Sequence, residues 1–593
     1  MKVSVLDYGA GNVRSLINAL QAVGCEIEMI DTAEQISSAR VLIFPGVGAC
    51  GACMEVLQKR GWVDALRAYV QSDKPFLGIC LGLQTLFEGS EESPGVRGLG
   101  LLPGIVGKFS GAGGRSVPQI GWNTLRQLQP SPLFHKLRAE DAVYFVHSFR
   151  VAFNDAVEPW ALTLTDYGEE YVSSVQRGRV MACQFHPEKS GPVGLRMLHN
   201  FASAALAETP AHAPPPSLMA AQARPTRYCK RVIACMDVRA NDAGDLVCTK
   251  GDQYDVREKA DASGAKGGVR NLGKPVQLAR RYYEQGADEI TFLNITGFRD
   301  CPLTDTPMLA LIEEASKEIF VPLTVGGGIR GFTDSNGVTS NALQVADAYF
   351  RAGADKVSIG SDAVDVAKAY LASGKMGGDS SIEQISRVYG RQAVVVSIDP
   401  RRRWVKSAAD ADGHNLVDHA SAPDKGVRGP NGESLCWYEC TVQGGRKGSG
   451  LDIVQLARAV EALGCGEILL NCIDNDGQND GYDLHMTRSV HDAVGIPVIA
   501  SSGAGAPRHF SEVFEVAGVE AGLAASIFHK SVCTVGDVKA DVAASGIHVR
   551  PTANVDGALL AAGGGGRAGG WKWLVALGVL AAAVTIGVAA ARK

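Results

Sequence analysis

Cys80 sits in the stretch PFLGICLGLQ, between an apolar run and a helical one, with glycines on both flanks, and His186-Pro187-Glu188 follows far downstream. These side chains are a nucleophile, a base and a group able to orient the base. A cysteine on a sharp, glycine-permitted strand-to-helix turn is lifted clear of the sheet and aimed at a helix N-terminus, which favours the thiolate. His186 is suited to take the thiol proton and to return one to a departing amine, while Glu188 holds the imidazole tautomer. The glycine-rich turn Pro45-Gly46-Val47-Gly48 ends another apolar strand, and its backbone N–H groups at Gly46 and Gly48 are candidates for an oxyanion hole. Such a set hydrolyses an amide through a thioester and releases ammonia. Each element alone also fits a core cysteine or a plain turn.

A second constellation occupies the rest of the chain. Asp237 and Asp399 stand at the ends of two apolar strands, where paired carboxylates serve general acid–base work or cap the following turn. Gly326-Gly327-Gly328 and Gly503-Ala504-Gly505 follow two further strands. Ser361 and Ser526 follow two more. Glycine lets backbone N–H groups approach an anion, so two such loops related by an internal repeat suggest a substrate with a phosphate at each end. Lys250, in CTKGD, is a candidate partner for that charge or an ordinary surface lysine. Arg231, Glu289, Lys356 and Glu467 begin four of the strands, and charges of both signs at a barrel floor are costly unless paired. A paired ring there would plug the barrel base.

The elements that must position these residues are legible in the same rows. At 593 residues the chain is too long for one ordinary domain. The first third alternates apolar strands (KVSVLDYG, RVLIFPG, PFLGIC, YFVHSF, VMACQFH) with helical stretches, an α/β layout with a largely parallel sheet. The Ala/Pro/Ser-rich segment 207–227 reads as a linker. Eight apolar runs follow, from VIACMDV to GLAASIF, most separated by helical stretches. They point to a (β/α)8 barrel, and the echo of GADEI in GCGEI marks a doubled half-barrel. Residues from about 401 to 450 form a long excursion between strands five and six, rich in Asp, Gly and Lys, of the kind that is functional or disordered. A Gly-rich spacer, 551–572, precedes an apolar run over 573–591 bracketed by basic residues, long enough to span a bilayer as a tail anchor. Net charge is −5, which argues against nucleic-acid binding. The 14 cysteines lack secretory spacing, so reduced thiols in an intracellular compartment are expected, with Cys50 and Cys53 as core residues. Histidines are few and without ligand spacing, so neither a metal nor an organic cofactor is expected.

Taken together, DYGAGN, PGVG, GICLGLQ, GWN, YFVHSF and FHPEKS resemble the class I glutamine amidotransferases, and most of all the glutaminase half of the imidazole glycerol phosphate synthases. RVIACMDV, FLNIT, TVGGGI, ADKVSIGSDA, AVVVSIDP, ILLNCIDNDG, IASSGAG and AASIFH resemble the cyclase half of the same family. The resemblance implies a flavodoxin-like amidotransferase domain over 1–206 and a TIM barrel over 228–550; the apolar run beyond them reads, on its own composition, as a C-terminal helix. It implies Cys80, His186 and Glu188 as the triad, with Gln84, Lys189 and Ser190 near bound glutamine. Asp237 and Asp399 become the cyclase pair, with Gly327, Gly328, Ser361, Asp476, Gly503 and Ser526 around the two phosphates. Arg231, Glu289, Lys356 and Glu467 become a gate for ammonia. The implied substrates are glutamine and a bisphosphorylated ribotide. The fusion supplies its own partner, so a monomer is expected, with cytoplasmic catalytic domains that the tail anchor would tie to an intracellular membrane. Two rivals are a sugar-phosphate isomerase, which needs no nitrogen donor, and an inactive tethered scaffold, which would have lost a nucleophile or base.

Overall fold

The computed structural model describes residues 1–9, 11–206, 225–241, 245–249, 271–295, 303, 307–334, 336–421 and 426–552. Lys250, most of the linker and the apolar run over 573–591 therefore lie outside the described residues. Among the described residues no helix is long and apolar enough to cross a membrane.

The first half is built on an eleven-stranded sheet. Its parallel part runs Glu26–Ile30, Lys2–Leu6, Leu42–Gly46, Phe76–Cys80, Val180–Cys183. Strands buried on both faces need apolar residues at consecutive positions, and Leu42, Ile43 and Phe44 are all fully buried. One hydrophobic layer forms on each side of this sheet. Beyond Val180–Cys183 the sheet turns antiparallel, starting with Glu170–Arg177. It is thus mixed, and YFVHSF is not one of its parallel members. The strand Ala142–His147 instead lies in a separate three-stranded sheet with Gln119–Thr124 and Tyr228–Cys229. That sheet joins the two halves: Ile120, Trp122, Tyr144 and Cys229 share one core with the barrel, while Val143, Phe145 and Tyr228 pack into the core of the first half.

All eight predicted runs are barrel strands: Arg231–Ala240, Glu289–Asn294, Leu323–Gly326, Lys356–Ile359, Val394–Ile398, Glu467–Asn471, Val498–Ser501 and Ala521–Ala524. They pair in parallel in that order, and the first closes on the last. Asp237 does not end its strand, as the sequence suggested. Strand one continues to Ala240, where it pairs with an added antiparallel strand, Leu246–Thr249. Cys50 and Cys53 are buried free thiols in the helix Cys50–Lys59, the core role expected of them.

The excursion after strand five folds into a four-stranded antiparallel sheet of Pro400–Val405, Val417–Asp418, Leu435–Val442 and Lys447–Asp452. It is tied to the barrel mouth. The Thr441 N–H and hydroxyl both donate to the Asp399 carbonyl, at 3.0 and 2.5 Å. The Arg402 N–H donates to Asp474 at 2.8 Å, and the Arg402 guanidinium pairs with the buried Asp483.

The barrel floor faces the first half. Asn12 caps the helix Val13–Ala22 by accepting from the Ser15 N–H, and its Nδ2 donates across the interface to Gly353 O and Asp355 Oδ1 at 2.8 and 2.9 Å. The Trp122 indole N–H donates to Asp288 O at 3.2 Å, and the Arg550 guanidinium lies 4.2 Å from that ring. The buried Asp288 carboxylate is satisfied by Lys539 at 2.6 Å, Arg550 at 2.7 Å and the Val232 N–H at 2.9 Å. Burial beside Arg550 pushes the Lys539 ammonium down to about 8.

Candidate active sites and the floor between them

Cys80 ends its strand with φ +53° and ψ −101°, a left-handed conformation that a cysteine rarely adopts. Strain of this kind costs about 1–3 kcal/mol and persists where the surroundings over-determine it. Here the flanking glycines do so: a Cβ on Gly82 would meet Phe44 O at 2.0 Å, and one on Gly78 would meet Gly82 O at 2.7 Å. The thiol projects into a cavity lined also by His186 and Glu188. The His186 Nδ1 lies 2.7 Å from Glu188 Oε1, which sets the tautomer, while Nε2 is buried without a hydrogen-bond partner. Burial works against the imidazolium, but the Glu188 carboxylate and Cys80 outweigh it and hold His186 well above its ordinary range.

The other residues expected around this thiol divide. Gln84 and Gly48 line the cavity. Gly46 is packed against Leu81 at the strand end, where a Cβ would lie 2.7 Å from the Leu81 Cβ, and is not part of the cavity wall. Lys189 reaches the cavity, but its ammonium is paired with Asp355 of the barrel at 2.6 Å. Ser190 is turned away: its hydroxyl donates to His186 O at 2.7 Å and accepts from the Tyr144 N–H at 3.0 Å, so it fixes the loop that carries the base. Within the expected oxyanion turn, the Val47 N–H donates to the Tyr8 hydroxyl at 3.1 Å, and that hydroxyl donates to Val47 O. Three contributors were missed. The Gln184 Nε2 donates to Cys80 Sγ at 3.4 Å, while its Oε1 accepts from Gln84 at 3.0 Å. Glu92 is a carboxyl on the cavity wall whose burial pushes it above the usual range. Tyr144 lines the cavity too, and its hydroxyl is buried without a partner. Gln184 stands two residues before His186, a cue available in QFHPE; Glu92 and Tyr144 carried no comparable signal.

The same cavity wall includes Lys356 of the barrel floor. Arg231, Glu289, Lys356 and Glu467 are each at most 1% exposed. They close a ring: Arg231 to Glu289 at 3.0 Å, Glu289 to Lys356 at 2.7 Å, Lys356 to Glu467 at 2.5 Å, and Glu467 back to Arg231. Thr324 adds a hydroxyl to Glu289 at 2.6 Å. Strand periodicity explains what lies above. Inward residues recur every second position, so strand one presents Arg231, Ile233, Cys235 and Asp237 in turn, and strand six presents Glu467, Leu469 and Asn471. The middle layer is apolar: Ile233, Cys235, Val395, Leu469, Ile499, Ala521 and Leu523 form a buried cluster of their own.

At the opposite mouth, Asp237 and Asp399 line one cavity together with Asp476, Gly503 and Ser526. Burial pushes Asp399 up to about 6, although Asn471 and Ser397 donate to it. The glycine loops are required by geometry: Gly327 and Gly503 have φ of +91° and +96°. Any Cβ there would lie 2.1 Å from Asn294 O and 2.0 Å from Gly481 O. Gly328 shares the left-handed conformation, at +78°. Gly327, Gly328 and Ser361 are not part of the cavity wall that holds the two aspartates. The Ser361 hydroxyl accepts from the Gln443 N–H at 3.0 Å, which places the tip of the inserted sheet against it.

Comparison with known proteins bears on both halves. Residues 4–205 match the model of class-I glutamine amidotransferases, and residues 231–534 match that of histidine biosynthesis proteins. The chain is 53% identical to the chloroplastic imidazole glycerol phosphate synthase hisHF of Arabidopsis thaliana, over 92% of this chain and 89% of that protein. It is 49% identical to the hisHF protein of Schizosaccharomyces pombe, over 93% of this chain and all of the other. The HisF subunit of Haloarcula marismortui is 39% identical over 54% of this chain.

Proposed function

This chain belongs to the fused imidazole glycerol phosphate synthases, and from that premise we propose the role of each of its sites. As a member of that family it is a glutamine amidotransferase and cyclase of histidine biosynthesis. It hydrolyses glutamine to glutamate and ammonia. The ammonia converts a phosphoribulosyl-formimino aminoimidazole carboxamide ribotide to imidazole glycerol phosphate and aminoimidazole carboxamide ribotide, with loss of water. We assign residues 1–206 to the glutaminase, 207–227 to the linker and 228–550 to the cyclase.

Cys80 attacks the side-chain amide of glutamine. His186 returns a proton to the departing nitrogen, ammonia leaves, and water hydrolyses the thioester to glutamate. The Gln184 N–H beside the sulfur orients the nucleophile. Glu92 is suited to the α-ammonium of glutamine, because a cation beside a buried carboxylate offsets its desolvation. Ammonia is small and neutral, so an apolar barrel interior carries it where ammonium is refused. At the mouth, ionised Asp399 takes the proton that the nitrogen sheds as it adds to the substrate carbonyl, and Asp237 serves the opposite proton transfer. Gly327, Gly328 and Ser361 on one side, and Asp476, Gly503 and Ser526 on the other, hold the two phosphates, with Lys250 as a further cation.

The observation that carries this reading is the cavity at Cys80, whose wall includes Lys356 of the barrel floor. Cys80→Ala is expected to abolish glutamine-dependent synthesis and to leave synthesis from an ammonium salt. Equal loss of both would refute the division of labour. We further propose that residues 573–591 anchor the chain to a membrane through the spacer 551–572. A chain ending near Gly563 is then expected to be active and recovered in the supernatant, whereas the full chain sediments with membranes. Recovery of the full chain in the supernatant would end that idea.

A further inference from the structure

We propose that Asn471 is a positioning residue for the cyclase: its amide, clamped by Ser501 and Ser502, holds the Asp399 carboxylate in place and keeps it ionised. This rests on the reading of Asp399 as the proton acceptor at the barrel mouth. The Asn471 Nδ2 donates to Asp399 Oδ1 at 3.3 Å. Its Oδ1 accepts from the Ser501 hydroxyl at 3.2 Å and from the Ser502 hydroxyl at 2.5 Å. The orientation of the amide follows from this environment: turned over, it would set its carbonyl oxygen against a carboxylate and leave two hydroxyls facing an NH2 group. Ser502 holds its place with φ +72°, a left-handed conformation that serine seldom adopts. The serine is also 3.3 Å from Asp476 Oδ1, and a hydroxyl has one proton, so the shorter bond to Asn471 claims it.

The register places this clamp. Asn471 is the inward residue of strand six at the height of Asp399, on the adjacent strand, with Leu469 beneath it. The groups facing Asp399 act in opposite directions. Burial and the nearby Asp476 carboxylate favour its neutral form, while the Asn471 and Ser397 donors favour the ionised one. Asp237 shares the cavity from strand one, and Cys440, on the inserted sheet, is near enough for the Asp399 charge to act on its thiol, which burial holds neutral. A neutral amide donor supports an anion here without adding a charge that would trap it as a salt bridge.

The test is the pH profile of ammonia-dependent synthesis in the full chain, with rates expressed per concentration of free ammonia. Asn471→Leu keeps the branched shape and removes the donor, so the acidic limb assigned to Asp399 is expected to move up by about one pH unit, with turnover at pH 6.5 losing more than turnover at pH 8.5. Ser502→Ala, which frees the amide to turn, is expected to move the same limb in the same direction by less. A merely structural role would scale the rate equally at every pH. An unmoved limb in an Asn471→Leu enzyme that turns over overturns the proposal. If that variant is inactive or unfolded, an unmoved limb in Ser502→Ala overturns it. Asp399→Asn separates the premise: retained ammonia-dependent turnover there would remove Asp399 as the proton acceptor, whatever Asn471 does.

Discussion

Asp399, the proposed proton acceptor, illustrates how a buried carboxyl is held at the expense of the fold. Its carboxyl is raised from an ordinary value to about 6, chiefly by burial. The sign follows from linkage: a folded-state value above the unfolded one means that protonation stabilises the fold. That stabilisation is complete below the unfolded value near 4 and is lost as pH rises through 6. Above pH 6 the native chain therefore bears a cost of about 2–3 kcal/mol for an ionised, buried carboxylate. Asp399→Asn is expected to stop cyclisation from either nitrogen source and to melt higher than the wild type at pH 8, with the difference gone at pH 4. A lower melting temperature at pH 8 would show that the carboxylate is stabilised rather than strained. Cys80 bears a conformational cost instead, in its left-handed backbone. The candidate triad and the two aspartates were readable because each stands in an unusual setting: a thiol between glycines, a His-Pro-Glu turn, an aspartate after an apolar run. Asn471 was not, because a neutral amide at a strand end has no distinctive local context, and Gln184 had only its place in QFHPE to mark it. Their distances to Cys80 and Asp399 establish what each attends.

At the level of elements, the inserted sheet resolves the open question about residues 401–450. Folded, it braces the mouth: Thr441 holds the Asp399 carbonyl, the Gln443 N–H meets Ser361, and Arg402 grips the loop that carries Asp476. Thr441→Val removes one hydrogen bond at nearly constant volume. It is expected to lower kcat for ammonia-dependent synthesis by about tenfold, the equivalent of one lost bond of about 1.4 kcal/mol. Thr441→Ser is expected to restore most of it. Equal rates in Thr441→Val and wild type would mean that the sheet merely covers the barrel. Its strands were illegible beforehand because half of the residues in Pro400–Val405 and Lys447–Asp452 are charged or polar and none of the apolar ones repeats with a strand period. The eight barrel strands were legible for the opposite reason: strands buried on both faces must be apolar at successive positions.

Over the whole molecule, the closed floor is what joins the two chemistries. Four charges, buried between the domains, satisfy one another in a ring. Glu467→Gln would leave Arg231 and Lys356 short of one carboxylate. Because breaking a buried pair leaves an uncompensated charge, a stability loss of about 3–5 kcal/mol is expected. If the ring also controls passage, more glutamine will be hydrolysed for each imidazole glycerol phosphate formed. An unchanged ratio, measured by assaying glutamate and product together, would reduce the ring to a structural plug. Asn12, Trp122 and Lys189 all reach across the same interface, so the two halves meet through polar contacts as well as apolar packing.

Local chemistry was sufficient to mark a candidate nucleophile, its candidate base, an acidic pair, the floor charges and the number of barrel strands. Each of these is written in residue type and short-range spacing, which survive without knowledge of the fold. Tertiary structure alone decided that the thiol pocket opens onto the floor, that Ser190 serves the backbone rather than the cavity, and which amides attend the reactive groups. Those outcomes depend on contacts between residues far apart in the chain, and no local pattern encodes which distant strand will come to lie alongside.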